Sequence, residues 1–478
     1  MIDHLKPYSA YKDSGLPWLG KIPVHWAIQR GKTLFHSIDT RSSTGSEELL
    51  TVSSERGVVP RSSVNVTMFK AESYIGYKLC WPGDLVINSL WAWARGLGVS
   101  RYHGIVSSAY GVYRLRPQFA GYSQYVHQLV RSTPFQWELQ VRSKGIWTSR
   151  LQLTDDAFLG APFPLPPPDE QAAIVRFLDH ANRRIDRYIR AKRRLIALLN
   201  EQKQAIIHQA VTRGLDQNVR LKPSGVEWLG DIPAHWEIRR LRTLVHRIDQ
   251  GISPQAEGFL ADDSSWGVLK AGCVNRGIFR ETEHKRLPKT VSIDPSIVVK
   301  VGDILVSRAS GSPQLVGSVG KVDVLNYRLV LSDKTFRPIF RDFVDVDFAV
   351  QAMNSRYYRR QVEEAISGAE GLANNMQLSS LRDFQLVIPP LPEAKVIAAY
   401  LIRETRRLDT TITRTEREIA LIREYRTRLV ADVVTGQLDV RAAAANLPDE
   451  PQEPETLAAE EGMESEEAEE DFDTEEES

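Results

Sequence analysis

The most chemistry-bearing repeat in the chain is a pair of His-Trp dipeptides, His25-Trp26 and His235-Trp236. An imidazole could ligate a metal or act as a base. Neither histidine has a second His or Cys at ligand spacing, so packed structural histidines are favoured, with the tryptophans as folding anchors. No Asn is followed by Pro, which removes the Asn-Pro-Pro-aromatic signature of amino-methyltransferases. No Gly-x-Gly-x-x-Gly opens a helix to hold a cofactor. Gly320-Lys321 is not a phosphate loop, because Leu315 and Val322 occupy two of its defining positions. Cys80 and Cys273 are too few for a disulfide framework or a zinc cage, and a reducing compartment, the cytoplasm, is the simpler expectation. No cofactor is therefore expected in this chain, and the side chains point to binding. An autonomous DNA-modifying enzyme with diffuse carboxylates stays open as a competing class.

Cationic groups are plentiful. Lys and Arg number 61, as do Asp and Glu, but residues 449–478 hold 16 acidic and no basic side chains, leaving 61 basic against 45 acidic in the rest. Such an excess favours a polyanionic partner, nucleic acid first, because each Lys or Arg that meets a phosphate releases condensed counterions. A merely solvated charged surface is the plainer alternative. Residues 449–478 are too polar to bury a core and are expected to be disordered, either solubilising the chain or competing with DNA for the basic body. Hydrophobic residues make up 42% of the 478, an ordinary globular share with room for two to four domains. No window approaches a membrane-spanning length, and the first residues lack the apolar core of an export signal.

The elements that must position these groups are written twice. Ser14-Gly15-Leu16-Pro17-Trp18-Leu19-Gly20-Lys21-Ile22-Pro23-Val24-His25-Trp26 returns, at a constant offset in numbering, as Ser224-Gly225-Val226-Glu227-Trp228-Leu229-Gly230-Asp231-Ile232-Pro233-Ala234-His235-Trp236. Pro166-Pro167-Pro168-Asp169-Glu170 is matched by Pro389-Pro390-Leu391-Pro392-Glu393, and Val211-Thr212 by Val434-Thr435, both at a second, larger offset. A shared frame thus encloses contents of unequal length, the second copy having the longer insert. After each proline run comes a proline-free stretch, about 169–213 and 393–435, with a seam repeating at steps of three and four. The first seam runs Leu178, Asn182, Ile185, Ile189, Lys192, Ile196, Leu199, Lys203, Ile206, Ala210, and the second runs Leu401, Thr405, Leu408, Ile412, Thr415, Ile419, Ile422, Arg426, Leu429, Val433. Polar residues interrupt both at the same three places. The pattern predicts two long helices paired as a coiled coil, against the alternative of two helices packed separately on their own domains. The intervening segments read as α+β modules, with strands at Leu85–Ile87, Ile105–Val106, Gly111–Leu115, Ile304–Val306 and Leu329–Leu331. Pro82-Gly83-Asp84 and Val301-Gly302-Asp303 read as equivalent turns into buried strands.

The doubled Ser-Gly-x-x-Trp-Leu-Gly-x-Ile-Pro-x-His-Trp block, the proline-rich entry to a long helix ending in Val-Thr, and the half-to-half duplication resemble the specificity subunits of Type I restriction-modification systems, over about residues 8–440. The resemblance implies two target-recognition domains and two helical spacers forming an antiparallel coiled coil with pseudo-two-fold symmetry. The corresponding boundaries are 1–165, 166–216, 217–388, 389–440 and an acidic tail at 441–478. It also implies a non-catalytic chain whose partners are double-stranded DNA, two modification subunits using S-adenosylmethionine, and restriction subunits using ATP and magnesium. Glu227 in place of Pro17, Ala394 in place of Gln171, and the acidic tail depart from the pattern.

Base reading on such a chain calls for Arg or Lys toward guanine, Asn or Gln toward adenine, and further cations on phosphate. In the first module Trp91, Trp93, Arg95, Arg101 and Lys144 are the candidates, with Arg150 on phosphate; in the second they are Arg308, Ser310, Lys321, Lys334, Asn374 and Asn375. Trp91 and Trp93 could instead fill a core from alternate strand positions. The basic run from Arg183 to Arg194 could follow DNA, hold an acidic partner, or simply face water. A coiled-coil adaptor without sequence-specific DNA contact is the other competing class.

Overall fold

A computed structural model describes residues 5–64, 71, 73–145, 151–226, 228–367 and 374–448. The described residues divide into two units, the first holding those up to 192 and those from 417 to 448, the second holding those between 193 and 416. Both boundaries fall inside long helices.

In the first unit, β1 (Ala27–Arg30), β2 (Phe35–Ser37), β3 (Leu85–Ile87), β4 (Leu97–Val99) and β5 (Gly111–Leu115) precede α1 (Ser123–Val130), α2 (Thr133–Arg142), α3 (Asp155–Leu159) and β6 (Pro162–Leu165). Strands β2-β5-β3-β4 form one antiparallel sheet, and β6 pairs with β1, Pro164 opposite Ile28. Their apolar faces meet in a core where Phe163 lies 4.9 Å from Phe135 and 5.5 Å from Phe35, ring centre to ring centre. All three rings are buried, each worth about 1.5–3 kcal/mol of removed apolar surface. Helix α4 (Pro168–Arg213) follows.

The second unit repeats the plan with β7 (Glu237–Arg240), β8 (Val245–Gln250), β9 (Ile304–Ser307), β10 (Ala309–Ser310), β11 (Val319–Lys321), β12 (Thr335–Phe340), α5 (Val346–Ala352), α6 (Arg356–Ala365), β13 (Ile366–Ser367), β14 (Asn374–Met376), α7 (Leu378–Asp383), β15 (Gln385–Ile388) and α8 (Leu391–Val434). Its sheet order β8-β12-β9-β11 matches the first sheet, and β15 pairs with β7 as β6 does with β1. The difference lies between the second strand and the Gly-Asp turn. There the first unit carries a small core of Leu50, Val58, Cys80, Val86, Val106 and Val112, and the second a larger one that includes Leu269, Cys273, Ile297, Val299, Leu305 and Leu329.

The frame block's function is visible in its bonds. Trp26 and Trp236 are fully buried, and each indole Nε1 donates to the glutamate in the first turn of a long helix, Trp26 to Glu170 at 2.7 Å and Trp236 to Glu393 at 3.1 Å. The adjacent His25 and His235 each reach the same carboxylate at 2.7 Å. Each tryptophan also packs on the glycine that ends the other long helix. A Cβ on Gly436 would lie 3.1 Å from the Trp26 ring, and one on Gly214 would lie 3.2 Å from the Trp236 ring; both glycines have positive φ, as a helix C-terminus favours. Each block therefore ties the start of one long helix to the end of the other, which requires them to run antiparallel.

Ion pairs along the seam agree. In the first unit Asp186 meets Arg426 and Lys192 meets Glu418; in the second Lys203 meets Asp409. One number rises as the other falls. Two of the three polar interruptions are thus explained by acids on the facing helix, and Thr405 and Thr415 return their hydroxyls to the carbonyls four residues back.

Glu170 is 4% exposed and also accepts from the Tyr8 hydroxyl at 2.5 Å, with Arg441 3.9 Å away; Glu393 is 33% exposed. Residues 441–448, placed by sequence in the acidic tail, begin with a short helix, Arg441–Ala445, whose Ala444 joins the first unit's core. Lys6 bridges to Asp439, and the Tyr11 hydroxyl donates to the Gln437 carbonyl. Residues 449–478, Glu227 and Arg150 lie outside the described residues.

Candidate nucleic-acid interface

In both units an aspartate, buried in the first and partly buried in the second, locks the entry to the central strand. Asp84, 1% exposed, accepts from the Trp81 amide at 2.9 Å and takes Arg114 of β5 through two bonds of 2.7 and 2.8 Å. Asp303 accepts from the Lys300 amide at 2.9 Å and from Arg337 of β12 at 2.9 Å. Arg337, itself 4% exposed, also grips Asp249 and the Val298 carbonyl; its carboxylate partners raise its pKa against the opposing effect of burial. Such bidentate and multiple charge-assisted bonds fix where each strand emerges.

Beyond β3 and β9 the chain enters segments whose side chains differ between the two units. Ser89 and Arg308 occupy the same place. The Ser89 carbonyl accepts from the Leu153 amide and the Arg308 carbonyl from the Met376 amide, both at 2.9 Å. Trp91 and Trp93 are therefore not at alternate strand positions, because the chain turns at Asn88 and continues as a 3-10 turn, Ala92–Ala94. Trp91 is 57% exposed, and its ring lies 6.1 Å from that of Trp93 at 16° between planes, a stacked pair. Gly96 permits this, since a Cβ there would sit 2.7 Å from the Trp91 carbonyl oxygen. Arg95 adopts φ 62° and spends its guanidinium on α2, donating to Gln136 and Thr133 at 3.0 Å each.

Side chains from the following helices hold these loops by their carbonyls. Gln136 donates to Trp93 O at 2.6 Å. Arg131 donates to Leu97 O and Ser54 O at 2.7 Å and to Glu55 O at 2.5 Å; burial, then Arg95, lowers its pKa to about 10. Beside it half-buried His127 accepts the Val99 amide on Nδ1; desolvation first, then Arg131 and Arg101, lowers its pKa to about 3. In the second unit Arg359 of α6, the counterpart of Gln136 in the repeat, donates to Val316 O at 2.5 Å and Gln314 O at 3.0 Å.

The second unit gathers most of its candidates. Arg308 donates to Asp333 O at 3.0 Å with its guanidinium over Phe336, and its amide donates to Lys334 O. Ser310 pairs with Asn374 and Ala309 with Asn375 across β10 and β14, and the Asn374 side-chain amide reaches Gly311 O at 3.3 Å. A cleft of about 350 Å³ opens beside them, where Lys270, Lys285 and Lys334 face Glu283 and Asp333. Lys321 is elsewhere, bonded to Asp347 of α5 at 2.5 Å on a separate groove. In the first unit exposed Lys144 bridges to Gln152, next to the Leu153 amide that binds Ser89, so it borders the Trp91 loop. Arg101 lies on an exposed turn after β4, where its charge acts on His127 and on Asp179 of α4.

Sequence reasoning missed the clamps Arg114, Arg337, Arg131, Gln136 and Arg359 and the lysines Lys270 and Lys285. The available signal was that Arg114/Arg337 and Gln136/Arg359 share the offset of the Val-Thr pairs. Among the described residues no cluster of His, Cys, Asp or Glu could hold a metal, and no helix is long and apolar enough to cross a membrane.

No family model matches the chain. It is similar to the Type I restriction enzyme EcoEI specificity subunit of Escherichia coli, 30% identical over 171 residues, covering 35% of this chain and 29% of that protein. It is also similar to the EcoKI specificity subunit of Escherichia coli strain K12, 26% identical over 214 residues, 44% of each chain. The matched stretches span less than half of these relatives. In structure, 87% of this chain covers 99% of a chain described under the structural basis of complex assembly and conformational transition of the type I R-M system, with TM-score 0.58 and 17% identity, a likeness of fold.

Proposed function

We propose that this chain is the DNA sequence-specificity subunit of a Type I restriction-modification complex, reading a two-part asymmetric target through its two modules. The observation that carries the reading is the equivalence of Ser89-Leu90-Trp91 and Arg308-Ala309-Ser310, hung on matching hydrogen bonds yet chemically unlike. A duplicated scaffold presenting different side chains at the same place suits two different half-sites. The Trp91–Trp93 stack, with Trp91 exposed, offers an apolar surface, whereas the second unit offers the partly exposed cations Arg308 and Lys334 toward base edges and phosphate, with Ser310 and Asn374 buried beside them. Arg101, Lys144, Arg150, Asn375 and Lys321 belong to the same proposal as further DNA contacts, and Arg95 as a residue that also shapes its loop.

In this reading the chain performs no covalent chemistry. Two modification subunits bring S-adenosylmethionine and methylate adenine, restriction subunits bring ATP and magnesium, and the assembly works in the cytoplasm. The paired helices set the unread interval between half-sites.

The test is to map N6-methyladenine by sequencing in cells carrying this chain with its modification partner. A split, non-palindromic motif that disappears when the chain is deleted is the expected result. A continuous motif, or methylation that persists without the chain, would end the proposal.

A further inference from the structure

Along α4, Arg176, Arg183, Arg187 and Arg190 recur at steps of seven, four and three. At 100° per residue they fall within about 60° of one another, on the side of the helix opposite the seam of Leu178, Ile185 and Ile189. Arg176 and Arg187 are exposed and the other two partly so, and half-buried Asp179 stands at the stripe's edge. The chain comes back to this helix, for Arg176 donates to the Leu447 carbonyl at 2.9 Å. Just beyond it begins the acidic segment, residues 449–478, with 16 acidic and no basic side chains.

We infer that residues 449–478 dock on this arginine stripe, making α4 the receptor for the chain's own acidic segment. Three observations converge. The charges are complementary. The chain reaches the start of the segment beside the first arginine of the stripe. The distance is short, since Arg176 to Arg190 spans about 21 Å at 1.5 Å per residue, against a reach of roughly 100 Å for about 30 extended residues. Tethering puts the acidic groups at an effective concentration in the millimolar range, enough to populate contacts that would be weak between separate molecules. The inference stands apart from the proposed function, since it needs neither DNA nor partner subunits.

Energy transfer between dyes on single cysteines introduced by Tyr188→Cys and Ser478→Cys in the full chain tests it. Tyr188 is 57% exposed, while Cys80 and Cys273 are fully buried, with burial pushing their thiols up to about 11 and 12, so the native cysteines stay unlabelled. Transfer should be high in about 20 mM salt and fall steeply by roughly 0.5 M, where the screening length shrinks to a few ångströms. Replacing the four arginines with Gln should abolish it at low salt. So should exchanging the segment's glutamates for Gln, a change that leaves the folded body intact. Transfer that survives both sets of substitutions overturns the inference. So does transfer that rises with chain concentration, which would mark contact between two copies.

Discussion

At the scale of single residues, Glu170 and Glu393 do the same job under different burial. Removing the charge from Glu170 leaves three donors, on Tyr8, His25 and Trp26, facing a weaker acceptor in a buried place. Glu170→Gln should cost about 1–3 kcal/mol, while Glu393→Gln, partly solvated and with two donors, should cost under about 1 kcal/mol. Urea midpoints of the two variants check the order. His127 gives a pH dependence of definite sign. Its folded pKa of about 3 lies below the value near 6.5 of the unfolded imidazole, so the unfolded chain takes up a proton that the folded chain refuses. The His127 contribution is complete above pH about 6.5 and is lost on acidification, by up to about 1.4 kcal/mol per pH unit. In His127→Asn, whose side-chain oxygen can still accept from Val99, the fall in urea midpoint between pH 7.5 and 5.0 should be smaller. An equal fall in both proteins would assign the acid sensitivity elsewhere.

At the scale of elements, loops read and helices hold them. Arg359 donates to the carbonyls of Gln314 and Val316, so Arg359→Ala should loosen that loop without touching the first module. Sequencing of methylated sites should then show relaxed bases in one half-site and an unchanged partner half-site. Much of this level was legible in the sequence. Helices α4 and α8 follow the three-four periodicity almost to their ends, and the strands expected around Leu85, Ile105, Gly111, Ile304 and Leu329 are present, because burial on one face leaves a local pattern. The candidate site was less legible. Ser310, Asn374 and Lys334 come together only through pairings between segments far apart in sequence, which no local pattern records. The turn that exposes Trp91 depends on Gly96 and on Gln136, which arrives only with α2, after the rest of the sheet has been laid down. The clamping arginines looked like any other surface cation until their carboxylate and carbonyl partners were in place.

At the scale of the whole molecule, duplication separates what is kept from what varies. The sheet order, the aspartate lock and the frame block are common to both units, and the extra residues of the second enlarge its small core. On the proposed function, the spacing of the half-sites and their identity are then independent variables. Inserting one extra helical turn, about four residues, into both α4 and α8 at matching seam positions lengthens the pair by about 6 Å, one to two base-pair rises of roughly 3.4 Å. The methylated motif should keep both half-sites and widen its gap by that amount; a changed half-site would count against the helices as the spacing element.

The bridge between Lys6 and Asp439 also bears on synthesis. The first unit's core includes Leu429, Val433, Val434, Val440 and Ala444, and the Tyr125 hydroxyl bonds the Val434 carbonyl. The second unit's core is drawn from one continuous run, residues 193–416. On the ribosome the half made first must wait, its apolar surface uncovered, while the half made second has everything it needs. A nascent chain stalled once residue 416 has cleared the exit tunnel should be cut readily by protease in its early portion and resist cutting in its later one. Whatever guards the newborn polypeptide would be needed longest by its oldest part.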